Sequence, residues 1–398
     1  MKCSKCLVGP TWDTAEIESD GVCNICKQIE IKNNIDWPAR KIMLHELAAK
    51  AKAAAIERGD PYDCALPVSG SKDSAYTAWY VVNELGLKPL LLRYDHGLYR
   101  PHMNENFKRM TKILGVDVNT FELSFKVVRE IMLEGLKRRG DSCVSCHNGV
   151  YSSTMQQVVR YKIPLVIWGE PIQEYASYGS GLSYEDFEQV DETRFNRVAS
   201  LGMTAEDLFY MLDGRVSKRD LAPFEYPAPE VLKKMRLQSI CLGSYIPWNV
   251  KEQVKIIEKE LAWEGAYTEN IPYFYEKSEC QMSAVRDWCR WLKRGHSRAT
   301  HLANIEIRHG RMTREEAVEF EEVNQPKRPE SLDHFLKMWH LTEAEFEEIV
   351  LSHKVGDHNF PRANEKAPAP KDMPTWDATD VPWPNHPGAK LPGGRAKL

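Results

Sequence analysis

The stretch Leu66-Pro67-Val68-Ser69-Gly70-Ser71-Lys72-Asp73-Ser74 constrains this chain most. It lies between an apolar run at 64–68 and a helical pattern that starts near Ala75. Strand, tight turn of small residues and helix start follow one another. The N–H groups of such a turn, with the positive end of the helix dipole, form a cradle for an anion. Ser69, Ser71 and Ser74 add hydroxyl donors, and Gly70 admits a phosphate close to the backbone. Lys72 adds a positive charge, and Asp73 is placed to hold a magnesium ion that travels with the phosphates. The Walker A spacing of two glycines before Lys-Ser or Lys-Thr is absent.

From residue 63 onward, apolar runs alternate with helical patterns. Strand-like runs at 64–68, 89–94, 116–121 and 163–168 are separated by helical stretches at 75–85, 104–114 and 125–137 and by another after Cys146. Residues 242–248 read as a last strand running into a loop. This alternation predicts an α/β fold, a parallel sheet with helices on both faces. Ligands of such sheets sit at the carboxyl ends of the strands. The serine loop, Asp95-His96-Gly97 and Gly169-Glu170 each follow a strand end, so they are candidates to line one crevice. Glu170 and Glu174 are candidates for a second magnesium ligand, though a carboxylate at 174 is as readily a solvated surface group.

Ahead of this core lie Cys3-x-x-Cys6, sixteen other residues, and Cys23-x-x-Cys26. Each pair can grip one face of a tetrahedral ion, and Gly9, Pro10, Asp20 and Gly21 suit the turns between. Residues 1–32 therefore read as a zinc ribbon with Cys3, Cys6, Cys23 and Cys26 as ligands. So short a segment buries little core, and metal would supply its folding free energy. Residues 33–60 read as a linking helix opened by Asp36-Trp37-Pro38. The chain has ten cysteines, including a third pair, Cys143 and Cys146, and no signal-peptide pattern. That usage points to metal or redox chemistry in a reducing cytoplasm. At 398 residues and a net charge of −4, the chain has no global positive field for nucleic acid, and no apolar run long enough for a membrane.

Residues 175–235 interrupt the alternation. Tyr175, Tyr178, Gly179 and Gly181 form an aromatic, glycine-rich stretch, with Arg194, Arg197, Arg215, Lys218 and Arg219 after it. This is equally a clamp for an anionic sugar nucleotide or a solvated insertion. Residues 266–355 read as mainly helical, with capping-box patterns at Thr313-x-x-Glu316 and Thr342-x-x-Glu345. Residues 294–301 group arginines, histidines and hydroxyls, which makes Arg298, Thr300 and His301 candidate substrate contacts beside Tyr175 and Tyr178. Residues 356–398 are polar, with eight prolines after Phe360, and read as an extended or disordered tail.

The serine loop resembles the SGGxDS loop of the PP-loop ATP pyrophosphatases, with Ser71 in place of a glycine. That resemblance implies an ATP-binding domain over 61–265 with an insertion near 175–235. It implies nucleotide contacts from Asp95, His96, Gly97 and Gly169. Further motifs occur in order: Gly140-Asp141-Ser142-Cys143-Val144-Ser145-Cys146-His147, Tyr161-Lys162-Ile163-Pro164-Leu165, Trp168-Gly169-Glu170, Gly243-Ser244-Tyr245-Ile246-Pro247-Trp248 and Gly295-His296-Ser297-Arg298-Ala299-Thr300. Together with the cysteine pairs they are similar, over roughly residues 1–320, to the N-acetyl sugar amidotransferases of the WbpG and PseA type.

That family turns a sugar's acetamido group into an acetamidino group in lipopolysaccharide O-antigen or flagellin-glycan biosynthesis. The resemblance implies ATP, Mg2+ and a nucleotide-activated acetamido sugar. Ammonia would come from a separate glutaminase and cyclase-like partner. A rival likeness is to PP-loop enzymes that thiolate tRNA with a 4Fe–4S cluster on a Cys-x-x-Cys pair and one distant cysteine. Cys143, Cys146 and Cys241 have that arrangement in the sequence.

Overall fold

The computed structural model describes residues 2–13, 15–169, 171–175, 183–187, 191–195, 200, 203–358 and 365–373. Five strands make the central sheet: β1 (Cys64–Pro67), β2 (Pro89–Asp95), β3 (Asp117–Glu122), β4 (Leu165–Trp168) and β5 (Gln238–Cys241). All pairs are parallel, and the order is β3-β2-β1-β4-β5. The first six long helices are α1 (Asn24–Asn33), α2 (Trp37–Arg58), α3 (Lys72–Asn83), α4 (Pro101–Leu114), α5 (Phe125–Arg139) and α6 (Val144–Tyr161).

Successive strand residues point to opposite faces. Leu66, Leu91, Ile167 and Ile240 pack with α2, α3, α4 and the Val250–Leu261 helix. Ala65, Leu90, Leu92, Val166 and Trp168 pack on Met155 and Val158 of α6. The inner strands β1, β2 and β4 are therefore buried on both faces, which is why they read as continuous apolar runs, while the edge strand β3 is largely exposed. The chain winds outward through β2 and β3, then returns to place β4 on the other side of β1. That reversal opens a crevice beyond the carboxyl ends of β1 and β4.

Two boundaries differ from the sequence expectation. α3 starts at Lys72, with Ser71 as its N-cap, so Lys72 and Asp73 lie in its first turn. The polar character of that turn hid it from periodicity. The last strand is Gln238–Cys241, and residues 242–244 form a tight helical turn. A Cβ at Gly243 would lie 2.2 Å from Pro171, so the chain turns there in close contact with the segment after β4.

The C-terminal helices Ser283–Arg294, Ser331–Trp339 and Glu343–Leu351 build a second core on α5, with Val285, Phe335 and Phe346 against Val128, Met132 and Leu136. Both expected capping boxes form, at Thr313 and Thr342. A further helix, Arg298–Arg308, is capped by Ser297 and Thr300. Over 365–373 the expected tail is partly extended and tied to the rest of the chain. Lys366–Ala367 pairs with Arg328–Pro329, and Asp372 accepts from Arg100 and bonds His102. A buried arginine and a strand partner hold this stretch down. Residues 374–398 lie outside the described residues. No described helix is long and apolar enough to cross a membrane.

Candidate active site

A cavity of about 360 Å³ opens at the carboxyl ends of β1, β2 and β4. That is the size of a small-ligand site. Ser69, Ser71, Lys72, Asp73 and Ser74 all line it. The loop is drawn in on itself. The N–H groups of Ser69 and Gly70 both donate to Ser74 Oγ, at 3.3 and 3.1 Å, and the Ser71 N–H donates to Ser69 Oγ at 3.2 Å. Ser71 makes no side-chain cap to α3. Donors that share hydroxyl oxygens in this way can exchange them for phosphate oxygens. Gly70 has φ +91° and Met103 and Phe107 close by, so a side chain there would be strained and crowded.

Lys72 organises the charge. Its Nζ lies 2.8 Å from Asp73 Oδ2 and 3.0 Å from Glu276 Oε1, over the Tyr175 ring. Burial alone would push the ammonium down, but the two carboxylates outweigh it and hold Lys72 well above the usual lysine range. The Tyr175 hydroxyl donates to the other Asp73 oxygen at 2.6 Å. One ammonium thus sits between two buried carboxylates. This donor set also suits a hard divalent cation.

Glu276 had no signal in the sequence. It is brought to the loop by the segment 279–281, which runs against 98–100. Arg100 N–H donates to Glu279, Gln281 N–H donates to Leu98, and Tyr99 bridges Cys280. Lys277, Arg286 and Arg290 enter the cavity with it. His96 and Gly169 line the cavity as expected. Burial lowers His96 to about 4, so it is neutral at pH 7. Asp95 and Gly97 do not line it: Asp95 closes the turn by accepting the Gly97 N–H at 2.8 Å.

Other expected site residues have different work. Glu174 is 1 % exposed and lies outside the cavity. Its carboxylate takes the Lys32 ammonium at 2.5 Å, the Tyr184 hydroxyl at 2.7 Å and the His309 ring. Burial raises its pKa, yet His309, Lys32 and Arg308 hold it well below the carboxylate range. It ties α1 to the Arg298–Arg308 helix and is not available to a magnesium ion. Arg298 reaches the cavity wall, but its guanidinium grips Asp287 at 2.7 and 2.8 Å. Thr300 caps its own helix and donates to Glu321. His301 lines the cavity, stacked between Trp12 and Tyr175. Glu170 and Tyr178 lie outside the described residues.

Cys143 and Cys146 both line the cavity, but Cys241 does not join them. Its thiol donates to the Gly169 carbonyl at 3.2 Å. The third cysteine at the cavity is Cys280. Burial pushes Cys146 and Cys280 up to about 12.

The N-terminal cysteines fit a metal. The four Sγ atoms of Cys3, Cys6, Cys23 and Cys26 lie within 4.8 Å of one another, and all four residues are buried. Cys6 and Cys23 are 3.7 Å apart, close to the edge of about 3.8 Å that Zn–S bonds of ~2.3 Å give a tetrahedron. The N–H groups of Cys23 and Cys26 point at neighbouring sulfurs. Trp12 of this segment stacks on His296 at 4.3 Å, so the ribbon rests on the C-terminal helices.

Residues 263–372 match the family described as LPS biosynthesis protein WbpG-like, C-terminal domain. This part of the chain is similar to that domain. It extends past residue 320, where the sequence likeness was expected to end, and takes in Asp372. The matched segment thus supplies Glu276, Lys277, Cys280 and Arg286 to the cavity. No curated protein matches the chain.

Solved structures to which the chain is similar include NMN synthetase from Francisella tularensis, at 13% identity and TM-score 0.28, covering 70% of this chain and 94% of that one. The U34-tRNA thiolase NcsA from Methanococcus maripaludis, with its 4Fe–4S cluster, gives 10%, 0.27, 82% and 87%. NAD+ synthetase from Burkholderia pseudomallei gives 11%, 0.26, 59% and 93%. Likenesses this remote say nothing about what the chain acts on.

Proposed function

We propose that this chain is an ATP-dependent, AMP- and pyrophosphate-forming amidotransferase. It converts the acetamido group of a nucleotide-activated sugar into an acetamidino group for a surface glycan such as a lipopolysaccharide O-antigen. The observation that carries this reading is that the serine loop and the WbpG-like domain meet across one cavity, with Lys72 bonded to Glu276.

An amide carbonyl is a poor electrophile, and its oxygen leaves poorly. Attack of that oxygen on the α-phosphorus of ATP forms an O-adenylyl imidate and expels pyrophosphate. Ammonia then adds to the imidate carbon, loses its extra protons, and AMP departs with the former amide oxygen. The N–H groups of Ser69, Gly70 and Ser71, the serine hydroxyls and Lys72 hold the departing pyrophosphate. Magnesium bound with ATP would neutralise charge on the phosphates, held by Asp73 and Glu276. Lys277, Arg286 and Arg290 suit the phosphates of the sugar nucleotide. No protein nucleophile is required, so catalysis rests on positioning and electrostatics. Ammonia comes from a separate glutaminase in the cytoplasm, and the ribbon carries a structural zinc ion.

The test is incubation with ATP, magnesium, ammonium and UDP- or CMP-linked acetamido sugars. The reading expects AMP together with a sugar lighter by the difference between oxygen and NH. A sulfur-containing nucleotide made in tRNA from sulfide and ATP, with no sugar product, would overturn it.

A further inference from the structure

The ribbon reaches the serine loop by two routes, and both end on residues 174–175. The first runs through rings. Trp12 packs with the four cysteines in the ribbon core. Its chain neighbours are clamped to the Ser283–Arg294 helix, where Arg294 donates to the Thr11 carbonyl at 2.9 Å and pairs with Asp13. The Trp12 and His301 rings lie 3° apart in plane, with centroids at 5.6 Å. His301 and Tyr175 follow at 13° and 6.5 Å. Aromatic rings attract one another at such spacings. The far end of the stack is polar. The Tyr175 hydroxyl donates to Asp73 Oδ1 at 2.6 Å, and Lys72 Nζ lies 5.2 Å from the Tyr175 ring centre. The second route is ionic. Cys23 caps α1, and Cys26 lies in its first turn. In the last turn of α1, Lys32 holds Glu174 at 2.5 Å.

Trp12 and His301 are both buried. His301 Nδ1 has no hydrogen-bond partner among the described residues, and burial, with Arg298 and Arg290 nearby, keeps the ring neutral. The planes of its two neighbours therefore orient it. A stack that served packing alone would need no hydroxyl on its last ring. Here that hydroxyl fixes one oxygen of Asp73 while Lys72 takes the other.

We propose that the ribbon is a positioning part of the ATP site: Trp12, through His301, sets the ring of Tyr175, whose hydroxyl turns Asp73 toward magnesium. Tyr175, His301 and Trp12 are positioning residues in this arrangement. The inference rests on the proposed role of Asp73 as a magnesium ligand.

The test uses the zinc-loaded full chain and α,β-methylene ATP, which cannot release pyrophosphate. Equilibrium binding of this analogue is followed as magnesium is raised, and zinc content is measured for every variant as the fold check. Tyr175→Phe keeps the ring and should raise the half-saturating magnesium about tenfold, the effect of losing a hydrogen bond to a charged group. His301→Leu removes the middle ring and should do the same. The double variant should be no worse than Tyr175→Phe alone, because both changes act through one hydroxyl. Trp12→Leu should match them, and Trp12→Phe should recover most of the loss. If Trp12→Leu sheds zinc, the Tyr175 and His301 variants carry the comparison. Thr342→Ala, remote from the stack, controls for loss of stability and should leave the magnesium requirement unchanged. Unchanged magnesium in Tyr175→Phe, a double variant in which the two effects multiply, an equal rise in Thr342→Ala, or wild-type binding indifferent to magnesium would overturn the inference. The expected variant effects, with no amidino sugar from the wild type, would support it and contradict the proposed reaction.

Discussion

Lys72 is held in waiting between Asp73 and Glu276, and substitutions at either carboxylate should separate their roles. Asp73→Ala should lower AMP formation by on the order of 10²-fold or more while the protein stays folded, because charge neutralisation is lost. Normal turnover in a folded Asp73→Ala protein would contradict the adenylation step. Glu276→Gln should raise the magnesium needed for half-maximal AMP formation about tenfold, as removal of one charged partner implies. An unchanged magnesium requirement would take Glu276 out of the site. Buried histidines set the acid response. His96 sits at about 4 and His147 at about 3, against ~6.5 in the unfolded chain. Below pH ~6.5 the unfolded state binds more protons, so stability falls with pH until the folded-state values are reached. The loss should be on the order of 2 kcal/mol per histidine between pH 7 and 5. Urea midpoints check this: His96→Asn should lose less than the wild type over that range. At this scale the sequence was only partly legible. The serine loop could be read because its donors are contiguous. Glu276 could not, and Glu174 was misread, because their partners come from distant segments.

Elements were more legible than residues where a local rule decides them. Thr313 and Thr342 start helices because each side chain caps the backbone three residues on. Thr342→Ala should cost about 1 kcal/mol, read from denaturant unfolding. The strand after β4 was misplaced because its end is set by Gly243 packing on Pro171, a contact invisible to periodicity. The Arg298–Arg308 helix was missed for a similar reason. Its first turn is rich in groups that also bind anions, and only the fold shows them spent on Asp287, Glu321 and the cap. The ribbon is the element most dependent on a single chemistry. Cys23→Ser should release its zinc and unfold this segment first, seen as loss of bound metal and early proteolysis near the N-terminus. Zinc-free wild type that keeps the same stability would contradict a metal-built ribbon.

Across the whole molecule, alternating runs were enough to expect a parallel sheet, but not the order of its strands. That order creates the switch point between β1 and β4 on which the serine loop sits. The WbpG-like domain then closes over the loop through Tyr99–Cys280 and Lys72–Glu276, so the site belongs to two parts of the chain at once. The central claim is that ATP activates the amide oxygen of a sugar. An acetamido sugar labelled with 18O in its amide carbonyl tests this most directly. The account predicts that, with ATP and ammonium, the label leaves the sugar and appears in the phosphate of AMP. Label found in water or pyrophosphate, or kept in a sugar product, would contradict it.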